Sequence, residues 1–327
     1  MRRQNYHAAA IRQTASTAGV TLRMDELIAI SSMEHAELAE FIAGMEAHAG
    51  IPIRLSRWST SELIERVIDG TAGDWDLLLG TAATALLDPA LTSRLSVLDA
   101  LDVSSLPPDA VDAGRRWFSP SGFVPAFCYD PHVLAANGLE PPRCWEALST
   151  PAWSRRIALP DPARSGAGYL HLGALLEHYG EQAWERLADI ARLQPAISGS
   201  STSPIEAVLE GRSWVGVTVS TAATRAALLH PSLHWCVPED AQRYEFEVFG
   251  CRNGSQHAVK ASQALGWMLS TDAAAISRRY GKVVVADSSS DTPPAPGPKP
   301  LDAIAASRAK AERCARWHAL FDTGATS

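Results

Sequence analysis

Ser165-Gly166-Ala167-Gly168-Tyr169 is the stretch of this chain best suited to hold an anion. A short apolar run, Ile157 to Leu159, reads as a buried strand just before it, ended by Pro160 and Pro162. Ser165 stands at an N-cap position, and a long helical pattern follows from Tyr169 to His178. A strand, a Ser/Gly turn and a helix start aim free backbone N–H groups and the positive end of a helix dipole at the contents of the turn. A second turn of this kind, Ile197-Ser198-Gly199-Ser200-Ser201-Thr202-Ser203-Pro204, precedes a helix from Ile205 to Glu210. Strands at Leu27 to Ser31, Ile51 to Leu55 and Asp76 to Gly80 are followed by Ser31-Ser32, Ser59-Thr60 and Thr81. Ser59 with Glu62 fits a capping box. Helix capping alone explains any one of these turns. Their convergence on the carboxyl ends of strands, where open α/β sheets bind ligands, is what suggests a site.

The elements that must position these turns alternate in the order β-α-β-α-β, the pattern of a parallel sheet with helices on its faces. The helix after Ser32 carries Leu38, Phe41, Ile42 and Met45 at helical spacing and closes at Gly50. Trp214 to Val219 reads as a buried strand, Tyr244 to Cys251 as another, and Phe123 to Tyr129 as an extended crossing segment. Four regions are expected: a polar N-terminal arm over 1–26; a first, discontinuous lobe over 27–123 plus 246–276; a second lobe over 124–245; and a C-terminal segment over 277–327. That last segment comprises a Ser/Asp/Pro-rich linker over 286–300 and a basic amphipathic helix from Leu301 to Phe321, packed on the lobes.

At 327 residues the chain has room for two lobes, with ordinary globular values of 46% hydrophobic and 20% charged residues. A net charge of −7 and the lack of any dense Lys/Arg run argue against nucleic acid as a partner. No apolar run is long enough to span a bilayer, and Arg2 and Arg3 have no apolar segment behind them to make a signal peptide. Taken literally, that start predicts a cytoplasmic protein. The five cysteines, Cys128, Cys144, Cys236, Cys251 and Cys314, are odd in number and widely spaced, against a disulfide framework or a structural zinc. Cys128 in the crossing segment could serve as a nucleophile only with a base and a lowered pKa; a buried structural thiol is the expectation.

From Trp153 to Tyr169 the chain runs Trp, a basic pair (Arg155-Arg156), a short strand, Pro, then Ser-Gly-x-Gly-Tyr. This pattern resembles the type 2 periplasmic binding proteins, extracellular solute-binding family 1, in the branch that handles ferric iron and 2-aminoethylphosphonate. Ile28–Ser32, Ile51–Leu63, Asp76–Thr81, Pro141–Ala147, Ala207–Val219, Tyr244–Gly250 and Ala261–Ser270 extend the resemblance over Leu27 to Val285. It implies an α/β protein with two lobes, each a mainly parallel sheet flanked by helices, and a ligand cleft at a hinge that closes on binding. The iron-binding members use adjacent tyrosines after the strand matching Val215–Val219, where this chain has Ser220-Thr221, and a His near Ser32, for which His35 is loosely placed. Hydroxyls are poor ligands for a hard ferric ion, so no metal site is expected.

The phosphonate-type members imply Ser/Thr hydroxyls and helix-start N–H groups around three oxygens. That suits Ser32, Ser59, Thr60, Ser165, Gly166, Gly168, Tyr169, Ser200, Ser201 and Thr202, with Thr81 from the third turn. An amine on the ligand would want a carboxylate or aromatic face, for which Trp117, Glu206, Asp240 and Glu245 are candidates. The resemblance thus implies a monomeric, non-enzymatic binding protein, periplasmic or extracellular. It would use no cofactor, clamp a 2-aminoethylphosphonate-like anion and serve an ABC permease without itself entering the membrane. A cysteine enzyme on the same fold and a ferric-ion binder are the alternatives.

Overall fold

The computed structural model describes residues 25–33, 35–86, 89–285 and 298–323. Residues 1–24 of the expected arm and 286–297 of the expected linker lie outside them. The strands are β1 (Leu27–Ser31), β2 (Ile53–Arg57), β3 (Leu77–Ala82), β4 (Phe118–Phe123), β5 (Pro125–Tyr129), β6 (Ile157–Pro160), β7 (Ala196–Ser198), β8 (Val215–Val219), β9 (His234–Cys236), β10 (Arg243–Cys251), β11 (Val283–Val284) and β12 (Lys299–Pro300). The helices of the first part are α1 (His35–Ala49), α2 (Thr60–Ile68), α3 (Ala83–Leu86) and α4 (Pro89–Thr92). Those of the middle are α5 (Pro131–Ala136), α6 (Trp145–Leu148), α7 (Gly166–Tyr179), α8 (Gln182–Arg192), α9 (Ser203–Leu209) and α10 (Ser220–Leu229). The last are α11 (Ala258–Gly266), α12 (Thr271–Arg279), α13 (Ala303–Arg308) and α14 (Lys310–Thr323).

Two sheets organise these elements. The first runs β11-β4-β10-β3-β1-β2, with β12 beside β10; the second runs β7-β6-β8-β5-β9. Parallel pairing joins β1 to β2 and β3, and β6 to β7 and β8, as alternating strands and helices require. The crossing strands add antiparallel pairs: β10 with β3 and β4, and β5 with β8 and β9. Both sheets are therefore mixed. β3 is buried along its whole length and reads Leu-Leu-Leu-Gly-Thr-Ala, as a strand covered on both faces should.

Each sheet has its own core. Leu38, Phe41 and Met45 of α1 pack with Leu27, Ile30 and Leu77 against the first. Phe127, Trp145, Tyr169 and Leu187 centre the second. The chain passes from one sheet to the other between β4 and β5, where Val124 accepts from Ser220 N–H at 2.9 Å and donates to Ser220 Oγ at 3.3 Å. It returns between β9 and β10.

The tail is two helices rather than the single expected one, with α13 against α3 of the first half and α14 against α8 of the second. Asp302 caps α13 by accepting from Ala305 N–H at 2.9 Å. Among the described residues, no helix is long and apolar enough to cross a membrane.

Candidate functional site

Between the two sheets lies a cavity of about 210 Å³. Its first wall comes from the ends of β1, β2 and β3. The Ser31 hydroxyl donates to the Leu79 carbonyl at 2.5 Å, and the Ser32 hydroxyl points at Thr81 Oγ1, 3.0 Å away, and at the Gly80 carbonyl, 3.3 Å away. Arg57 Nε donates to the Met33 carbonyl at 2.5 Å, which ties the end of β2 to the turn after β1. Ser59 caps α2 by accepting from Glu62 N–H at 3.3 Å, as its spacing predicts, and Thr60 follows it at the cleft.

The second wall is built on β6, β7 and β8. After Pro160 ends β6, the Asp161 carbonyl accepts from the N–H groups of Arg164 and Ser165, curling the chain into α7. Ser165 Oγ accepts from Gly168 N–H at 3.5 Å, and Gly166 and Ala167 line the cleft at the start of this 14-residue helix. A β-carbon on Gly199 would lie 2.7 Å from the Arg164 guanidinium carbon, so that side chain lies close across the second turn. The second turn is knit by Ser200 Oγ and Ser203 Oγ, 2.8 Å apart, and by the Thr218 hydroxyl donating to the Ser201 carbonyl at 2.7 Å. The two walls approach closely: Thr60 Oγ1 is 3.7 Å from where a β-carbon on Gly166 would sit.

The floor carries charge. Glu37 and Glu247 line the cleft, and both pair with Lys282, whose side chain is wholly buried between them. Burial pulls the Lys282 pKa down, but Glu247 and Glu37 push it up by more, so the ammonium keeps its proton. Two carboxylates thus share a single ammonium. Glu245, two residues from Glu247, lies outside the cleft lining. Burial pushes its carboxyl up to about 7 against the opposing pull of the Thr84 N–H, which donates to it at 2.8 Å.

Of the twelve expected ligand residues, Ser32, Ser59, Thr60, Ser165, Gly166, Ser200, Ser201 and Thr202 line this cavity. Four do not. Thr81 is buried behind the first turn and accepts from Ser32. Trp117 is 5% exposed and belongs to the apolar core of the first sheet. Gly168 packs α7 onto β6, since a β-carbon there would lie 2.5 Å from the Pro160 carbonyl oxygen. Tyr169 faces into the second core, where its hydroxyl donates to the Ala306 carbonyl and burial pushes its pKa up to about 12.

The expected amine partners Glu206, Asp240 and Glu245 also lie off the lining, where Glu37 and Glu247 stand instead. Arg57 and Arg164 are the cations that the reading of hydroxyls passed over. Arg164 had a local signal, its place beside the Ser165 cap. The Glu37–Lys282–Glu247 group had none, because its members come from three distant segments.

Cys128 is wholly buried, does not line the cleft, and burial pushes its thiol up to about 12, so it offers no thiolate there. Among the described residues, no group of three or more His, Cys, Asp or Glu could hold a metal ion.

Two α/β halves with separate cores, joined by crossing strands around a polar cleft, define a two-lobed solute-binding protein of the type 2 periplasmic class. The chain belongs to the bacterial extracellular solute-binding protein family, which matches residues 108–310, more than half its length. It is similar to the phosphoglycerate transport regulatory protein PgtC of Salmonella typhimurium strain LT2, with 26% identity over 258 residues covering 73% of this chain. The chain spans 64% of that relative's length. Among solved structures, it superposes on the periplasmic binding protein AfuA of Actinobacillus pleuropneumoniae, with fructose-6-phosphate bound, at a TM-score of 0.76. Identity there is 16%, and the match covers 91% of this chain and 98% of that one. Iron-bound HitA of Pseudomonas aeruginosa gives a TM-score of 0.73 at 16% identity, covering 90% and 99% of the two chains. These likenesses establish the fold. The family and these neighbours are binding proteins, not enzymes.

Proposed function

We propose that the cleft clamps a small phosphate- or phosphonate-bearing solute of the 2-aminoethylphosphonate type, and that the protein hands it to an ABC permease from outside the cytoplasm. One observation carries this reading. Arg164 and the N-terminus of α7 face the hydroxyl-bearing turn of Ser59 and Thr60 across the cavity. A cation, a helix start and hydroxyls on both sides suit an oxyanion with several oxygens. The Glu37 and Glu247 carboxylates that line the cleft suit an ammonium or hydroxyl group at the other end of the same ligand. The fructose-6-phosphate bound to AfuA and the phosphoglycerate in the name of PgtC are both phosphate-bearing molecules, in keeping with this chemistry.

Thermal melting with 2-aminoethylphosphonate, fructose 6-phosphate, 3-phosphoglycerate and inorganic phosphate tests the proposal. A ligand at a hundred times its dissociation constant stabilises the folded protein by about 2.7 kcal/mol. A shift with one of these compounds, absent with its dephosphorylated counterpart, is the expected result. No shift with any of them, or a shift with ferric ion alone, would sink the phosphate reading.

A further inference from the structure

Behind the second wall lies a separate cavity of about 20 Å³, lined by Trp145, Pro160, Gly168, His171, Val217 and Trp317 among others. Two polar side chains face it. His171 is 2% exposed and Trp145 is 3% exposed. His171 Nε2 lies 2.7 Å from the Thr218 carbonyl, which can only accept, so Nε2 carries the proton and Nδ1 is left as an acceptor. Among the described residues, neither His171 Nδ1 nor Trp145 Nε1 has a hydrogen-bond partner. One is an acceptor and the other a donor, and the volume of the cavity that both residues line matches a single water, which needs roughly 10–15 Å³.

We propose that one ordered water occupies this cavity, accepting from Trp145 and donating to His171, and that His171 is thereby the positioning residue for the cleft wall. His171 stands on α7, the helix whose start forms the Ser165 turn. Through Nε2 it donates to the Thr218 carbonyl on β8, and the Thr218 hydroxyl in turn donates to the Ser201 carbonyl of the second turn. One imidazole thus ties both Ser/Gly turns together. The far end of the relay is fixed as well, because the backbone N–H of Trp145 donates to Asp240 Oδ2 at 2.8 Å and the Tyr179 hydroxyl, at the end of α7, donates to the same oxygen at 2.9 Å. Ring packing holds the imidazole plane: Phe127 stacks parallel to it and Trp145 meets it edge-on. Burial holds the His171 pKa down at about 4, which keeps the ring neutral and the relay in one hydrogen-bonding sense.

The positioning role rests on the two turns forming one wall of the ligand site; the water and the tautomer do not. Two measurements on ligand-free full-length protein therefore come first. A high-resolution crystal structure should show a water peak within hydrogen-bond distance of both His171 Nδ1 and Trp145 Nε1. Nitrogen-15 spectra should show the Nε2–H tautomer of His171 unchanged from about pH 8 to about pH 5.5. An empty cavity, or a proton on Nδ1 at neutral pH, overturns the relay whatever the protein binds.

His171→Phe then removes the relay and keeps the stacked ring. Its affinity for the phosphate-bearing compound that shifts wild-type melting should fall by about tenfold. His171→Gln, which can keep the donor to Thr218, should recover part of that loss. Wild-type affinity in His171→Phe overturns the positioning role. If His171→Phe fails to fold, Trp145→Phe reads the same relay from its donor end: loss of the water peak with an altered His171 Nδ1 resonance supports it, and an unchanged resonance overturns it.

Discussion

The two walls of the cleft use the same residue types differently. At the ends of β1 and β2, polar groups are turned inward: Ser31 donates to Leu79, Ser32 points at Thr81 and Gly80, and Arg57 donates to the Met33 carbonyl. On the second wall, Ser165 serves only as an N-cap acceptor, so its own O–H is left to donate elsewhere. Among the described residues, no hydrogen bond or ion pair engages the Arg164 guanidinium at this wall's rim. Ser31 and Ser32 of the first wall are tied into their own sheet, whereas Ser165 of the second, like Ser59 at the start of α2, keeps its donor for a guest. Seryl turns that look alike in sequence therefore differ in what they can offer. A hydroxyl already donating to a carbonyl has no proton left for a ligand.

The largest effect should come from Ser165→Asp. A carboxylate at the start of α7 would repel an anionic guest, and binding of the phosphate-bearing compound should fall by more than about a hundredfold by calorimetry. Because Asp is itself a good N-cap, the melting temperature should stay near wild type. Unchanged affinity would reduce this turn to a helix cap.

Arg164→Ala should cost about tenfold to a hundredfold in affinity, the range for a charge-assisted hydrogen bond of about 1.5–3 kcal/mol. Its stability should not change, since the side chain is exposed.

A third prediction concerns the carboxylate behind the cleft. The folded pKa of Glu245, about 7, lies above its ordinary value of 4.5, so the stability it contributes is complete below pH 4.5 and lost as pH rises through 7. The nearby Lys310 ammonium favours the charged form and offsets part of that loss. Glu245→Gln should therefore gain on the wild type between pH 5 and pH 8 in denaturant titrations. A gap between the two that stays constant over this range would refute the shift.

Ser32→Ala should change ligand affinity least, within about threefold, because the hydroxyl points back at Thr81 and Gly80. A loss as large as that of Arg164→Ala would erase the contrast between the walls.

Much of the frame was legible in the chain. Strand-then-cap patterns placed Ser59 at the start of α2 and Ser165 at the start of α7, where both accept the predicted backbone N–H. These are contacts within a few residues, and local sequence controls them. Side-chain direction one turn further on was not legible. Tyr169 follows Ser165 on the same helix, yet it turns into the core to reach Ala306, a partner 137 residues away. Trp117 was equally plausible as a cleft aromatic until the packing of β4 against β10 enclosed it.

What the sequence determined by itself is the set of local devices: apolar runs that must be buried, Ser and Thr that cap, and glycines that admit a tight approach. Their energetics are settled within one turn of chain. The tertiary structure alone decided which devices face each other. It closed Glu37, Lys282 and Glu247 into one buried group and laid Arg164 across Gly199. It also brought Thr60 of one half to Gly166 of the other. A charge can be buried only where opposite charges from other elements meet it, and that meeting depends on how two separate cores pack rather than on any spacing along the chain.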